Sequence, residues 1–237
     1  MNVFLQNVKN INFLLGKKND VFKYIENSIE KNEKTWIITL NALMYMEYFK
    51  NSDYKKCIES SSFNIPDGVS VVKKLKKLNF ETERITGIDT LNYLLKISEL
   101  KKYKVFFLGS QEEIIKKAFT NTNLSYNNVV CGYNNGFFNY DDEEKIIKKI
   151  NNLETDILFV GMGIPKQELF ILKNHNRLNV RLFMGVGGSF DVLSNSISRA
   201  PVFFQKFSVE WLYRMLKEPK RFEKFPDLIK FYFKKIN

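Results

Sequence analysis

Four short apolar runs punctuate the chain, and each is followed by a segment of helical periodicity. TWIITL (35–40) precedes NALMYMEYFKN, KVFFLG (104–109) precedes SQEEIIKKAF, TDILFVGMG (155–163) precedes IPKQELFILKNH, and VRLFMGVGG (180–188) precedes SFDVLSN. Unbroken apolar runs of this length suit strands covered on both faces, as in a parallel sheet. Ser110 is placed to cap the helix after the second run, and Pro165 to sit in the first turn after the third. Strand-then-helix alternation predicts an α/β domain with a Rossmann-like, mostly parallel sheet. No internal repeat and no low-complexity linker interrupts it.

Three of the runs end in glycine: Gly109, then Gly161 and Gly163, then Gly185, Gly187 and Gly188. Ligands of open α/β sheets bind beyond the carboxyl ends of the strands. Glycine there lets backbone approach a ligand closely or simply makes a tight turn, and a helix N-terminus attracts phosphate. No GxGxxG opens a βαβ unit and no GxxxxGK[ST] loop is present, so neither nucleotide fingerprint applies.

The segment from Arg199 onward has a different character. It holds ten Lys/Arg against four Asp/Glu, more than half of the chain's net charge of +11. Phe204, Phe207, Trp211 and Met215 fall on one helical stripe, and Arg214, Lys217, Arg221 and Lys224 on another. Phe225, Leu228, Ile229, Tyr232, Phe233 and Ile236 form a further apolar face. A basic amphipathic helix reads either as a membrane-surface element or as a terminal helix packed on the core with a solvated basic face. The expected organisation is a core of residues 1–195 and an appendage of 196–237.

Composition narrows the classes. A chain of 237 residues, 44% hydrophobic, is long enough for a sizeable core and argues against disorder. The basic balance favours anionic partners. Two separated cysteines, Cys57 and Cys131, suit a reduced cytosolic protein, and with His175 as the only histidine a His/Cys zinc site is not supported. His175 reads as a packing or helix-surface residue. No window is long and apolar enough for a membrane span, and no signal-peptide pattern is read in the first residues.

NIPDGVSVV (64–72) raises the sharpest question. Pro-Asp-Gly is turn chemistry, yet Asp67 could equally be a carboxylate at the mouth of a pocket. In order along the chain stand NIPDGVSVV, RITGIDT (84–90), FVGMGIPKQE (159–168), GVGGSFD (185–191), RAP (199–201) and VEWLYRMLKEPKRF (209–222). Together they resemble the WecG/TagA/CpsF family of bacterial glycosyltransferases, over nearly the whole chain. The sequence departs from the family pattern where Ile65 stands between Asn64 and the Pro-Asp-Gly, where Asn195 stands near a usual glycine, and where Lys224 replaces a frequent Arg.

The resemblance implies an inverting, UDP-sugar-dependent, metal-independent transferase with no cofactor. The branch most often met moves N-acetylmannosamine to a polyprenyl-diphosphate-linked N-acetylglucosamine in teichoic acid synthesis. Other branches use a different UDP-hexose for capsule or exopolysaccharide. Carried onto this chain, it gives Asp67 as general base, with Thr39 and Gln167 completing the catalytic set. Substrate-binding candidates are Asn41, Arg84, Gly109, Gly161, Gly163, Lys166, Gly187, Gly188, Asp191, Arg199, Arg214, Arg221 and Lys224. Thr39 also reads as a helix N-cap, Gln167 and Glu168 as a solvated first turn, and Asp191 as a helix-start residue facing the macrodipole. The expected partners are a UDP-sugar donor, a polyprenyl-diphosphate acceptor, an anionic membrane surface met by the appendage, and a second copy of the chain, with no nucleic acid. The expected location is the cytoplasm, peripheral on the inner face of the cell membrane. Two other classes stay open on residues alone: a non-catalytic basic protein binding anions or nucleic acid, and a nicotinamide-dependent reductase.

Overall fold

The computed structural model describes residues 3–196 and 225–233. The strands are β1 (Val3–Val8), β2 (Ile11–Gly16), β3 (Thr35–Leu40), β4 (Phe63–Pro66), β5 (Val105–Gly109), β6 (Val130–Asn134), β7 (Ile157–Gly161) and β8 (Leu182–Gly185). The helices are α1 (Lys18–Glu30), α2 (Ala42–Lys50), α3 (Ser52–Ser60), α4 (Val69–Lys77), α5 (Gly87–Lys101), α6 (Glu112–Ser125), α7 (Tyr140–Asn152), α8 (Lys166–Asn174), α9 (Ser189–Leu193) and α10 (Phe225–Phe233). All strands join one sheet in the order β1-β2-β4-β3-β8-β7-β5-β6. Its pairings are parallel except for the β1–β2 hairpin.

Helices cover both faces, which is why β3, β4, β5, β7 and β8 are buried at every position. One face packs α2, α3, α4, α7, α8 and α10 through Tyr45, Tyr54, Leu75, Ile147, Phe170 and Phe231. The other packs α1, α5, α6 and α9 through Ile25, Leu91, Leu94, Ile115 and Phe190. The four strands expected from apolar runs are all present. Four more were not expected: β1, β2, β4 and β6.

The capping expectations change in detail. Ser110 does not cap α6: it lies at φ 57 in the link after β5, and Gln111 occupies the N-cap without a side-chain bond. Pro165 is the residue before the first helical position of α8. Thr39 does not cap α2, because Asn41 does, its Oδ1 accepting from the Leu43 and Met44 amides at 3.0 and 3.1 Å. Asn195 adopts φ 57, the left-handed geometry a glycine would otherwise supply. His175 follows α8 at its C-cap with its ring 6.3 Å from that of Trp36, a packing position.

Helix α10 belongs to the core rather than standing apart from it. Leu228 and Phe231 are buried, Phe231 meets Tyr45 of α2 edge-on at 5.4 Å, and Asp227 pairs with Lys50. The Lys74 ammonium of α4 lies 4.7 Å from the Phe231 ring centre. The buried face therefore uses Phe231, and Ile229, expected on it, is 44% exposed. The apolar stripe through Phe204 and Met215 and the basic stripe through Arg214 and Lys224 lie outside the described residues. No helix among the described residues is long and apolar enough to cross a membrane.

Candidate active site

β3 and β8 are neighbours in the sheet, and the helices that follow them go to opposite faces: α2 to one, α9 to the other. Such a reversal opens a crevice beyond the carboxyl ends of the two strands. Two groups of predicted site residues flank it.

The first group sits at the tips of β3 and β4. Asp67 is not in a free-standing turn. It follows the last residue of β4, and its amide donates to Leu40 O at 3.0 Å, extending the β3–β4 ladder by one bond. Arg84 Nε donates to the Asp67 carbonyl at 2.7 Å, and Arg84 Nη2 lies 3.8 Å from Asp67 Oδ1. The Ile85 amide donates to Pro66 O at 3.1 Å, so the RITGID segment runs along the end of β4. Both Asp67 and Arg84 keep about a quarter of their side-chain surface exposed (24% and 26%). The backbone at Asp67 is thus fixed from two sides while its carboxylate reaches solvent.

Thr39 lies on β3 in register with Ile65 of β4. Its hydroxyl faces Gly87, the first residue of α5, where an added Cβ would come within 3.1 Å of Thr39 Oγ1. Thr86 caps α5, its Oγ1 accepting from the Asp89 amide at 3.2 Å. Ile65 points into the core with α5 and is fully buried, so the departure from the family pattern at this position is met by packing, away from the crevice. A Cβ added at Gly68, in the β4–α4 link, would stand 3.5 Å from Asn41 Cα, so the two strand tips lie side by side.

The second group sits at the tips of β7 and β8. Gln167 and Glu168 do not form a solvated turn: they are 2% and 0% exposed. Gln167 Nε2 donates to Glu168 Oε1 at 2.6 Å, and Gln167 Oε1 accepts from the Gly187 amide at 3.1 Å. Burial pushes the Glu168 carboxyl up to about 8, against the opposing pull of the Gln167 bond. At neutral pH Glu168 is a neutral acid. Its Oε2 and the Tyr54 hydroxyl, both buried, have no hydrogen-bond partner among the described residues. The Tyr54 hydroxyl and the Cys57 thiol are also raised, by burial first and by Glu168 second, the thiol to about 12.

The glycines divide by purpose. Gly185 lies under the Gln167–Glu168 pair: a Cβ there would stand 2.6 Å from Gln167 Nε2 and 2.9 Å from Glu168 Oε1. Gly109 and Gly161 likewise abut protein, Gly109 against the Gly161 backbone and Gly161 against the Phe190 ring. Among the strand-tip glycines, Gly163 and Gly187 combine positive φ with open space around the Cβ direction. Open space is thus left at Gly163 and Gly187, while at Gly109, Gly161 and Gly185 protein packs closely on protein.

Lys166 points away from the crevice centre. Its ammonium donates to Gly136 O at 2.9 Å and lies 5.8 Å from the Phe137 and Phe138 ring centres. Gly188 is the N-cap position of α9 and Asp191 lies in that helix's first turn. Arg199, Arg214, Arg221 and Lys224 fall outside the described residues. Glu168 was missed as a site residue. Its signal was its place beside Gln167 in a helix whose next residues, Leu169, Phe170 and Ile171, are apolar.

The arrangement offers a carboxylate at one wall of a crevice and a buried amide–acid pair behind a glycine loop at the other. Compared with known families and proteins, the chain matches over almost its whole length. The model of the glycosyl transferase WecG/TagA/CpsF family matches residues 6–236. An N-acetylglucosaminyldiphosphoundecaprenol N-acetyl-beta-D-mannosaminyltransferase of Bacillus spizizenii is 30% identical over 227 residues, covering 94% of this chain and 88% of that protein. A Staphylococcus aureus protein of the same name is 32% identical over 206 residues, covering 86% and 81%. On this match over almost its full length, the chain belongs to the WecG/TagA/CpsF family of glycosyl transferases.

Proposed function

We propose that this protein transfers N-acetylmannosamine, with inversion, from a UDP-linked donor to N-acetylglucosaminyldiphosphoundecaprenol, with Asp67 as the general base. The observation that carries the reading is Asp67 itself. It is anchored through its own backbone by Leu40 and Arg84 at the β4 tip, with its carboxylate partly exposed and Arg84 beside it. The names of the relatives supply the sugar and the acceptor.

In the proposed step an acceptor hydroxyl oxygen attacks the anomeric carbon of the donor. The bond from that carbon to the diphosphate breaks, and UDP leaves with the electron pair. The hydroxyl proton passes to the Asp67 carboxylate, since a positioned base takes the proton as the hydroxyl acidifies in the transition state. Thr39 and Gln167 complete the catalytic set, and the Gly187 and Gly188 backbone faces the donor. Charge on the leaving diphosphate is met by Arg214, Arg221 and Lys224, with Arg84 beside the base. The same basic segment brings the protein to an anionic membrane surface, where the lipid-linked acceptor resides.

The test is donor profiling. The purified protein is incubated with several UDP-sugars and a short-chain polyprenyl-diphosphate N-acetylglucosamine. Turnover with UDP-N-acetylmannosamine is expected, and failure of every UDP-sugar with a folded protein refutes the reading. Asp67→Asn is expected to lower kcat by about 10²-fold or more, the range of a general base, with an unchanged melting temperature. For the membrane contact, charge reversal at Arg214, Arg221 and Lys224 is preferable to deleting residues 199–237, because deletion would also strip Leu228 and Phe231 from the core. Undiminished binding of the reversed protein to anionic liposomes would sink that part.

A further inference from the structure

We propose that Glu168 is a positioning residue of the transfer site, locking Gln167 so that Gln167 holds the Gly187 amide and sets the link between β8 and α9. The inference rests on the transferase reading for its kinetic consequence, and on geometry alone for the contact chain.

The chain has three members, each with little freedom. Glu168 Oε1 accepts from Gln167 Nε2 at 2.6 Å, and Gln167 Oε1 accepts from Gly187 N at 3.1 Å. An amide side chain has one donor end and one acceptor end, so fixing the donor end on Glu168 also fixes which end faces Gly187. From below, Gly185 leaves no room between the strand and the pair. Around the Cβ direction of Gly187 there is open space instead, with a φ of 50, while its carbonyl lies against Gly161. The hydrogen bond from the Gly187 amide to Gln167 Oε1 is thus the side-chain contact that pins Gly187 itself, beside the Val186 amide on Val160 O at 2.8 Å and the Ser189 hydroxyl on Val186 O at 2.7 Å.

The acid also makes the pin sensitive to proton loss. Glu168 is fully buried. From α3 it is faced by Tyr54 and Cys57, with Glu47 of α2 beyond Tyr54 and Asp53 beyond Cys57. From β8 it meets the Gly185 backbone, and on its own helix the neighbouring Lys166 ammonium is directed to Gly136 O. No cation is among these groups, so a carboxylate formed here has no opposite charge to offset its desolvation. Deprotonation draws in water or displaces the side chain, and Gln167 loses its anchor.

The experiment compares the full-length wild type with Glu168→Gln and Glu168→Leu. Glutamine keeps an acceptor for Gln167 and cannot ionise; leucine removes the acceptor. In the wild type the donor KM is expected to rise as pH passes through the Glu168 titration, with kcat moving less. Glu168→Gln should hold a flat KM over the same range. Glu168→Leu should raise the donor KM about tenfold at neutral pH, the consequence of one lost buried hydrogen bond. Combining Glu168→Leu with Gln167→Ala should add little to either alone. The amide resonance of Gly187 provides a readout that needs no turnover: it should titrate with Glu168 in the wild type and stay still in Glu168→Gln. An identical alkaline limb in wild type and Glu168→Gln, or a Gly187 amide that does not titrate, overturns the proposal. A titrating Gly187 amide in a protein that uses no UDP-sugar would uphold the positioning and refute the transferase reading.

Discussion

Replacing Glu168 with glutamine should change how stability depends on pH, by an amount the structure sets. The carboxyl has an ordinary value of 4.5 and is raised by burial to about 8 in the folded protein. The folded state therefore holds this proton more tightly than the unfolded chain. Below the ordinary value both states are protonated and the contribution to stability is complete. As pH climbs from there the unfolded chain loses its proton while the folded protein keeps it, and stability falls until the folded group also titrates near 8. At about 1.4 kcal/mol per pH unit, the interval corresponds to about 5 kcal/mol. Glutamine carries no such dependence. The melting temperatures of the two proteins should then diverge by roughly 10–20 °C between pH 4.5 and 8, at the 2–4 °C per kcal/mol expected for a domain of this size. The Gln variant gains relative to the wild type as pH rises. Scanning calorimetry of both proteins in matched buffers cancels every other titrating group. Parallel curves across the interval would refute the reasoning, because they would mean that Glu168 is ionised, or solvated, in the folded protein.

Three further outcomes follow from packing and capping. Gly185→Ala should push Gln167 off both of its hydrogen bonds and cost about 2–4 kcal/mol from overpacking and lost bonds, seen as a lower melting temperature and a raised donor KM; wild-type values would mean the Gln167–Glu168 pair is not seated on the strand. Phe231→Ala should cost about 3–5 kcal/mol and release α10 from α2, measured by denaturant unfolding and by faster proteolysis in the C-terminal region; an unchanged midpoint would deny α10 its place in the core. Asn41→Ala should cost about 1 kcal/mol through loss of the α2 cap; an unchanged stability would mean that Asn41 does not hold the helix start.

The sequence carried much of the fold in its apolar runs. Each of the four runs is a strand because helices on both faces leave no polar side to signal alternation. Strand β4 escaped notice for a physical reason. Only four residues long, it carries Asn64, whose side-chain amide is buried on Asn12 O and Ser61 Oγ, so a polar letter sat in a core strand. The hairpin of β1 and β2 was legible in principle: Lys9 and Asn10 both take positive φ, the two-residue turn that suits antiparallel strands, and Asn tolerates it. At the site, motif order pointed to Asp67, Thr39 and Gln167, but not to what surrounds them. The bond from Arg84 to the Asp67 backbone joins residues 17 apart in sequence, and no local spacing encodes it. Glu168 looked like an ordinary charged residue in a first helical turn. Only the closure of α3 over α8 turns it into a buried acid.

The seat of α10 on α2 bears on the span 197–224, which carries Arg199, Arg214, Arg221 and Lys224. The chain is fixed on both sides of that span, by α9 before it and by α10 after it. Closing a loop of this length costs on the order of 3 kcal/mol of chain entropy, and the cost is met once, in folding. Weakening the Phe231 contact would return that entropy to the chain without touching a single charge.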